Sequence, residues 1–352
     1  MHAVVPPAHP ADPADLAPAR ALLRDALVWD NHGCMPVDRP HDPSFLPQLQ
    51  RYRAAGVDVA TINIGFGDQG IEQHLRTLAG MRHWLLARAD RYVLAGTVDD
   101  IERAHAEGKL AVAFDIEGAN AIGDQLSLIE LYHALGVRWM LLAYNRNNRA
   151  GGGCQDEDGG LTPFGRQVIA EMERVGLQLC LSHTGHRTAR EALAVATQPV
   201  IFSHSNPSAV HAHPRNIPDD LIRACAESGG VVGINGVGDF LGRGDGRGDV
   251  RSATYARHVD HVVQLVGPRH VSIALDHVFD IAELEAYLAT MQHTFPPELG
   301  YTAQPAFVAP EQLPEIVATL LGWGYREEDL RLILGGNLMR LARTVWKAPA
   351  HA

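Results

Sequence analysis

The chain carries 19 histidines in 352 residues, and several stand where an apolar run stops. One run is followed by Asp30-Asn31-His32-Gly33-Cys34, and another closes in Asp115-Ile116-Glu117. Later runs end in Tyr144-Asn145, Ser182-His183, Ser203-His204, Asn235 and Asp276-His277. Imidazole, thiolate and carboxylate together form a borderline-soft donor set, suited to zinc or another late first-row divalent cation. Each residue alone has a plainer reading. A histidine that ends a strand more often makes a hydrogen bond than holds a metal, and a solitary cysteine is usually a small buried hydrophobe. Glu117 and Asp276 alone would serve as helix caps or ion-pair partners. The repetition at strand ends separates His32, Cys34, Glu117, His183, His204 and Asp276 from that background. Gly151-Gly152-Gly153 belongs to no phosphate loop, since no GKS/GKT follows, and reads as a mobile loop.

Such residues can meet only if the apolar runs place their ends together. The runs are Ala26–Asp30, Val57–Ile64, Leu110–Ile116, Val137–Ala143, Leu177–Ser182, Val200–Ser203, Gly230–Asn235 and His270–Leu275. Most are continuously apolar, as parallel strands buried on both faces must be. Helical patterns lie between them, including Gly123–Leu135, Thr162–Val175 and Asp219–Ser228, the second opening on Thr162-Pro163 as N-cap and first helical residue. Eight strands with crossovers predict a (β/α)8 barrel, with a doubly wound open sheet as the competitor. In a barrel the C-terminal strand ends share one mouth. Residues 310–341 read as two helices packed on the barrel, and 280–309 as a long loop. Residues 1–20, rich in Ala, Pro and Asp, read as a loose arm before one barrel domain over 21–345. His74, His83, His105, His258 and His261 fall in helical patterns and read as surface residues.

With 30 basic against 41 acidic residues, the net charge of −11 disfavours nucleic acid and anionic membranes as partners. No apolar run is long enough for a membrane span. Four dispersed cysteines form no disulfide framework, so a cytoplasmic setting is expected.

The segments DNHGCMP, FDIEGAN, GLTPFG, SHSNPSAVHAHPRNIPDD and GGNLMR resemble those of the membrane (renal) dipeptidases, peptidase family M19 of the amidohydrolase superfamily. The likeness runs from about Asp30 to Leu341. It implies a zinc barrel that binds one or two ions and cleaves the amide bond of a dipeptide or similar small substrate with a free carboxylate. Carried over residue by residue, Glu117 matches the bridging glutamate, and His183 and His204 match the ligands of one ion. His32 and Asp276 match ligands of the other, Asp276 also being the general acid/base. Arg215 matches the arginine that holds the substrate carboxylate, a task suited to a guanidinium fork. A homodimer is a further implication.

Two positions depart from the family pattern. Cys34 stands where the family's His-x-Asp motif has aspartate; thiolate is a zinc ligand too, but leaves a weaker Lewis acid. Tyr144 stands where the family commonly has a histidine near the scissile carbonyl. These departures leave two alternatives open: a hydrolase of non-peptide N-substituted amino acids with an altered, mononuclear site, and a metal-binding relative impaired in catalysis.

Overall fold

A strand with helices outside it and packed side chains inside it has no face for water, which is why the apolar runs become parallel strands. The computed structural model describes residues 16–34, 44–242, 250–302 and 305–348. Its strands are β1 (Trp29–Cys34), β2 (Val59–Phe66), β3 (Tyr92–Leu94), β4 (Leu110–Glu117), β5 (Val137–Leu141), β6 (Gln178–Cys180), β7 (Ile201–Phe202), β8 (Val231–Asn235), β9 (Val271–Ala274) and β10 (His277–Val278). Eight of them close a ring in the order β1-β2-β4-β5-β6-β7-β8-β9, and β9 returns to β1 through Ile273 and Asp30. All pairings in the ring are parallel, so the protein is a (β/α)8 barrel. β3 pairs with the first residues of β4, and β10 continues beyond β9 to pair with Gly33 and Cys34.

The helices follow from caps and apolar stripes. In Pro163–Val175, Thr162 Oγ1 accepts from the Gly165 amide at 3.0 Å, and Gly176 ends the helix in the left-handed region at φ 85°. Between those caps Val168, Ile169, Met172 and Val175 face the core. The C-terminal helix Asn337–Val345 closes the floor of the barrel. Its Leu338, Met339, Leu341 and Ala342 pack with Trp29, Val59, Ala111, Trp139, Ile201 and Val231. Asn337 Nδ2 ties it down by donating to the Pro268 and Val271 carbonyls at 2.7 and 2.9 Å.

Several expectations change. The first strand lies at Trp29–Cys34, not Ala26–Asp30, so His32 and Cys34 are strand residues. Polar side chains continue this ladder because the barrel interior supplies their partners. The expected loop over 280–309 contains a helix, Ile281–Thr290, whose N-cap Asp280 accepts from the Glu283 amide at 3.0 Å. None of its residues is fully buried, and its apolar Leu284, Tyr287 and Leu288 line the cavity at the mouth instead of packing into the core. Residues 1–15 lie outside the described residues, whereas residues 16–20 of the expected arm begin the helix Leu16–Asp25. The tail contains the helices Leu313–Gly322 and Glu327–Arg331, then a π-helical turn leading into Asn337–Val345.

His74 and His258 are core residues instead of surface ones, each bonded to a carbonyl, Gly70 and Leu241, at 2.9 Å. His83 and His105 are exposed. His261 is half-buried and bonded to Asp219. Gly151–Gly153 is buried and pinned by side chains, with the Gly152 amide donating to Thr188 Oγ1 at 2.9 Å, so it is a fixed turn. A Cβ on Gly152 would meet Asp158 Oδ1 at 2.1 Å. Among the described residues no helix is long and apolar enough to cross a membrane.

Candidate active site

Closure of the barrel carries the C-terminal strand ends to one mouth. β1 supplies His32 and Cys34, and β4 supplies Asp115 and Glu117. Segments just after the strands supply Tyr144, Asn145, His183, His204 and Asp276. Two donor groups form there, His32–His204–Asp276 and Glu117–His183–His204, every residue buried. Glu117 Oε1 lies 3.1 Å from His183 Nε2, 3.0 Å from His204 Nε2 and 3.8 Å from His32 Nε2. The two nitrogens of His183 and His204 are themselves 3.0 Å apart. Cys34 Sγ is 3.5 Å from His32 Nε2 and 3.2 Å from Asp276 Oδ1. Between His32 and Cys34 the chain needs glycine, because a Cβ on Gly33 would meet Tyr52 Oη at 2.1 Å.

Neighbouring side chains set the proton on each imidazole. Asn145 Nδ2 donates to the Thr294 carbonyl, so its Oδ1 accepts from His183 Nδ1 at 2.7 Å. Asp115 Oδ2 accepts from His32 Nδ1 at 3.1 Å, and Asn63 holds the other Asp115 oxygen at 2.8 Å. His204 Nδ1 pairs with Ser203 Oγ at 2.7 Å. His183 therefore turns an unprotonated Nε2 toward Glu117 Oε1, an oxygen with no hydrogen-bond donor among the described residues. Lone pair facing lone pair at 3.1 Å is repulsive unless a cation lies between them. The donor set thus fits a divalent metal.

Electrostatics follow burial. Burial, then the Arg215 and His32 charges, holds His183 well below the usual histidine range; burial, then His32 and Arg215, does so for His204. Both rest neutral, the form in which an imidazole can hold a metal. Burial pushes Glu117 up to about 8, and a cation would return it to the carboxylate form. Burial also opposes the charge on Asp276, but hydrogen bonding and attraction from His32, with Arg215 and Cys34, hold that carboxyl below its ordinary value. Asn235 Nδ2 donates to its second oxygen at 2.8 Å. Asn145, His183 and Asp276 adopt positive φ of 57°, 61° and 52°, the non-glycine residues among those described that do so. Strain gathered at the mouth is a mark of a functional site.

Arg215 is buried, with Nη1 on Ser205 Oγ at 3.2 Å, Nη2 on the His204 carbonyl at 2.9 Å and Nε without a partner. Its guanidinium sits over the Phe240 ring at 5.5 Å. The Tyr144 ring stacks on His183 at 4.1 Å. Above this floor opens a cleft lined by Cys34, Glu117, Tyr144, His183, His204 and Asp276, among others. Arg215 stands behind that lining. The sequence reading missed the supporting roles of Asn63, Asp115, Asn145, Ser203 and Asn235, although all but Asn63 stand beside a singled-out strand end.

Comparisons place this architecture. The family model for "Membrane dipeptidase (Peptidase family M19)" matches residues 21–286. The "Uncharacterized protein in pqqA 5'region" of Klebsiella pneumoniae is 32% identical over 77% of this chain and 95% of its own length. "Dipeptidase aclJ" of Aspergillus oryzae is 33% identical over 72% of this chain. "Dipeptidase tcpJ" of Claviceps purpurea is 30% identical over 73%. The chain spans 56% of the length of each of these two dipeptidases. Among solved structures, an amidohydrolase from Pseudomonas aeruginosa superposes with a TM-score of 0.82 at 27% identity, over 93% of this chain and 99% of that one. The chain belongs to the membrane dipeptidase family, peptidase family M19, which makes it a hydrolase.

Proposed function

We propose that the mouth hydrolyses the amide bond of a dipeptide, or a similar small substrate with a free carboxylate, with Glu117 shared between two zinc ions. The observation that carries this reading is Glu117 Oε1, buried, without a donor and faced by histidine Nε2 atoms at 3.0 and 3.1 Å. His183 and His204 would hold one ion, and His32, Asp276 and Cys34 the other. When bound, such ions supply Lewis acidity toward a carbonyl and make water more acidic. Asp276, an ionised carboxylate oriented by the Asn235 amide, takes a proton from the attacking water and returns it to the leaving amine. Arg215 offers a substrate carboxylate its charge and its unpartnered Nε. The Tyr144 phenol stays protonated, because burial and then the Glu117 charge push it well up, so it serves as a hydrogen-bond donor.

Cys34 favours a second reading. In place of the family's aspartate, its thiol donates to Asp276 Oδ1 at 3.2 Å. A single ion at Glu117, His183 and His204 would then act on a non-peptide N-substituted amino acid. Metal content and turnover of the purified protein separate the two. Two equivalents with dipeptide hydrolysis are expected. One equivalent, with hydrolysis confined to N-acyl amino acids, selects the second reading; no metal and no turnover overturns both.

A further inference from the structure

Beyond the metal-ligand floor, seven of the residues that line the cavity are phenylalanine or tyrosine. Tyr144, stacked on His183, touches Phe66 at 5.3 Å and Phe295 at 6.3 Å between centroids. Tyr287 of the mouth helix Ile281–Thr290 meets Phe66 edge-on at 5.4 Å. Phe295 leads to Tyr301 at 5.6 Å, and Tyr301 to Phe240 at 5.8 Å. The rings come from segments far apart in sequence, and each holds its neighbour's tilt.

Phe66, Tyr144, Tyr287 and Phe295 are half-buried, so part of each ring still faces open space. Leu284 and Leu288, one helical turn apart, turn toward the same cavity. Apolar surface left uncovered inside a concavity marks a place where a ligand completes the packing. The charges on the wall are of one sign: Asp239, Asp280 and Glu283 line it, and no Lys or Arg does among the described residues.

We infer that this wall is a side-chain subsite, which selects substrates with a bulky apolar, above all aromatic, residue and rejects those with an acidic one. The inference rests on the dipeptidase reading and names the substrate class within it. The ring of such a residue would lie between Phe66, Tyr144, Tyr287 and Phe295. A carboxylate side chain would be desolvated there beside like charges, with no Lys or Arg among the described lining residues to meet it.

The test compares kcat/KM of the metal-loaded enzyme for Ala-Ala, Phe-Ala, Ala-Phe, Glu-Ala and Ala-Glu. One of the two phenylalanine peptides should exceed Ala-Ala by about 10²-fold, and both glutamate peptides should fall below it. Tyr287→Ala and Phe295→Ala should each cut the phenylalanine-to-alanine ratio by about tenfold, with metal content unchanged, and Phe295→Leu should restore part of it. Phenylalanine, alanine and glutamate peptides handled within about threefold of one another, or ratios untouched in both alanine variants, would overturn the subsite. If no dipeptide is cleaved at all, the dipeptidase reading fails. Calorimetric titration with the same peptides then still reads the subsite: tighter binding of a phenylalanine peptide supports it, and equal binding of all five overturns it.

Discussion

The two ends of the barrel are made by the same strands and differ in what they bury. At the floor, Trp29, Val59, Ala111, Trp139, Ile201 and Val231 meet the apolar face of Asn337–Val345. At the mouth, the ring closes around Asp115, Glu117, Asp276 and three histidines, with Asn145, His183 and Asp276 in left-handed backbone conformations. The floor gains free energy by removing apolar surface from water. The mouth loses it through desolvated charge and strained φ angles, and the rest of the barrel must offset that loss. One end holds the fold together so that the other can keep a geometry that would not persist alone.

The contrast can be broken most forcefully at Glu117. Glu117→Gln should lower kcat by about 10³-fold or more, because a neutral amide forfeits several kcal/mol of metal-assisted stabilisation. Metal content should fall with it. The metal-free variant should nonetheless melt no lower than metal-free wild type, since an unpaired buried carboxyl has been removed; a large drop in Tm would show that Glu117 supports the fold.

Leu341→Ala is the mirror experiment at the floor. It should cost about 2–5 kcal/mol of stability in denaturant unfolding, while kcat per folded molecule stays unchanged. A fall in kcat comparable to the stability loss would mean the two ends are coupled.

Arg215→Met sharpens the mouth side. It should lower kcat/KM by about 10²-fold, the loss expected for a charge-assisted contact to a carboxylate, without changing metal content. Substrates amidated at the C-terminus should be insensitive to it. Equal sensitivity would move Arg215 from anchoring to supporting His204 and Ser205.

The smallest effect concerns histidines away from the site. Burial holds both His133 and His258 at about 4, helped by Arg138 for His133, against 6.5 for the ordinary group. The unfolded chain therefore binds more protons between those values, so stability is full above pH 6.5 and is lost as pH falls toward 4. His258→Gln should flatten that slope in Tm against pH. An unchanged slope would clear His258 and leave the acid sensitivity to His133 and the mouth.

The barrel was legible in the sequence because its signals are local. Short apolar runs such as residues 110–114 and 139–143 read as buried strands, and Thr162-Pro163 with Gly176 marks both ends of one helix without reference to anything distant. The polar residues that interrupt those runs at one end were legible for the same reason, and the family resemblance extended them to Arg215. Other features were decided by closure of the ring. The position of β1 depends on the partners that Asp30 and His32 find across the barrel. The pairing of His32 with Asp115, of His183 with Asn145 and of Asp276 with Asn235 joins residues up to 83 positions apart. The ring wall brings Phe66 against Tyr287, and Cys34 against Asp276, across most of the chain. A local pattern records which face of an element is dry. It does not record which distant element will lie there, because that is settled only when β9 meets β1 and the strand ends are forced to share one mouth.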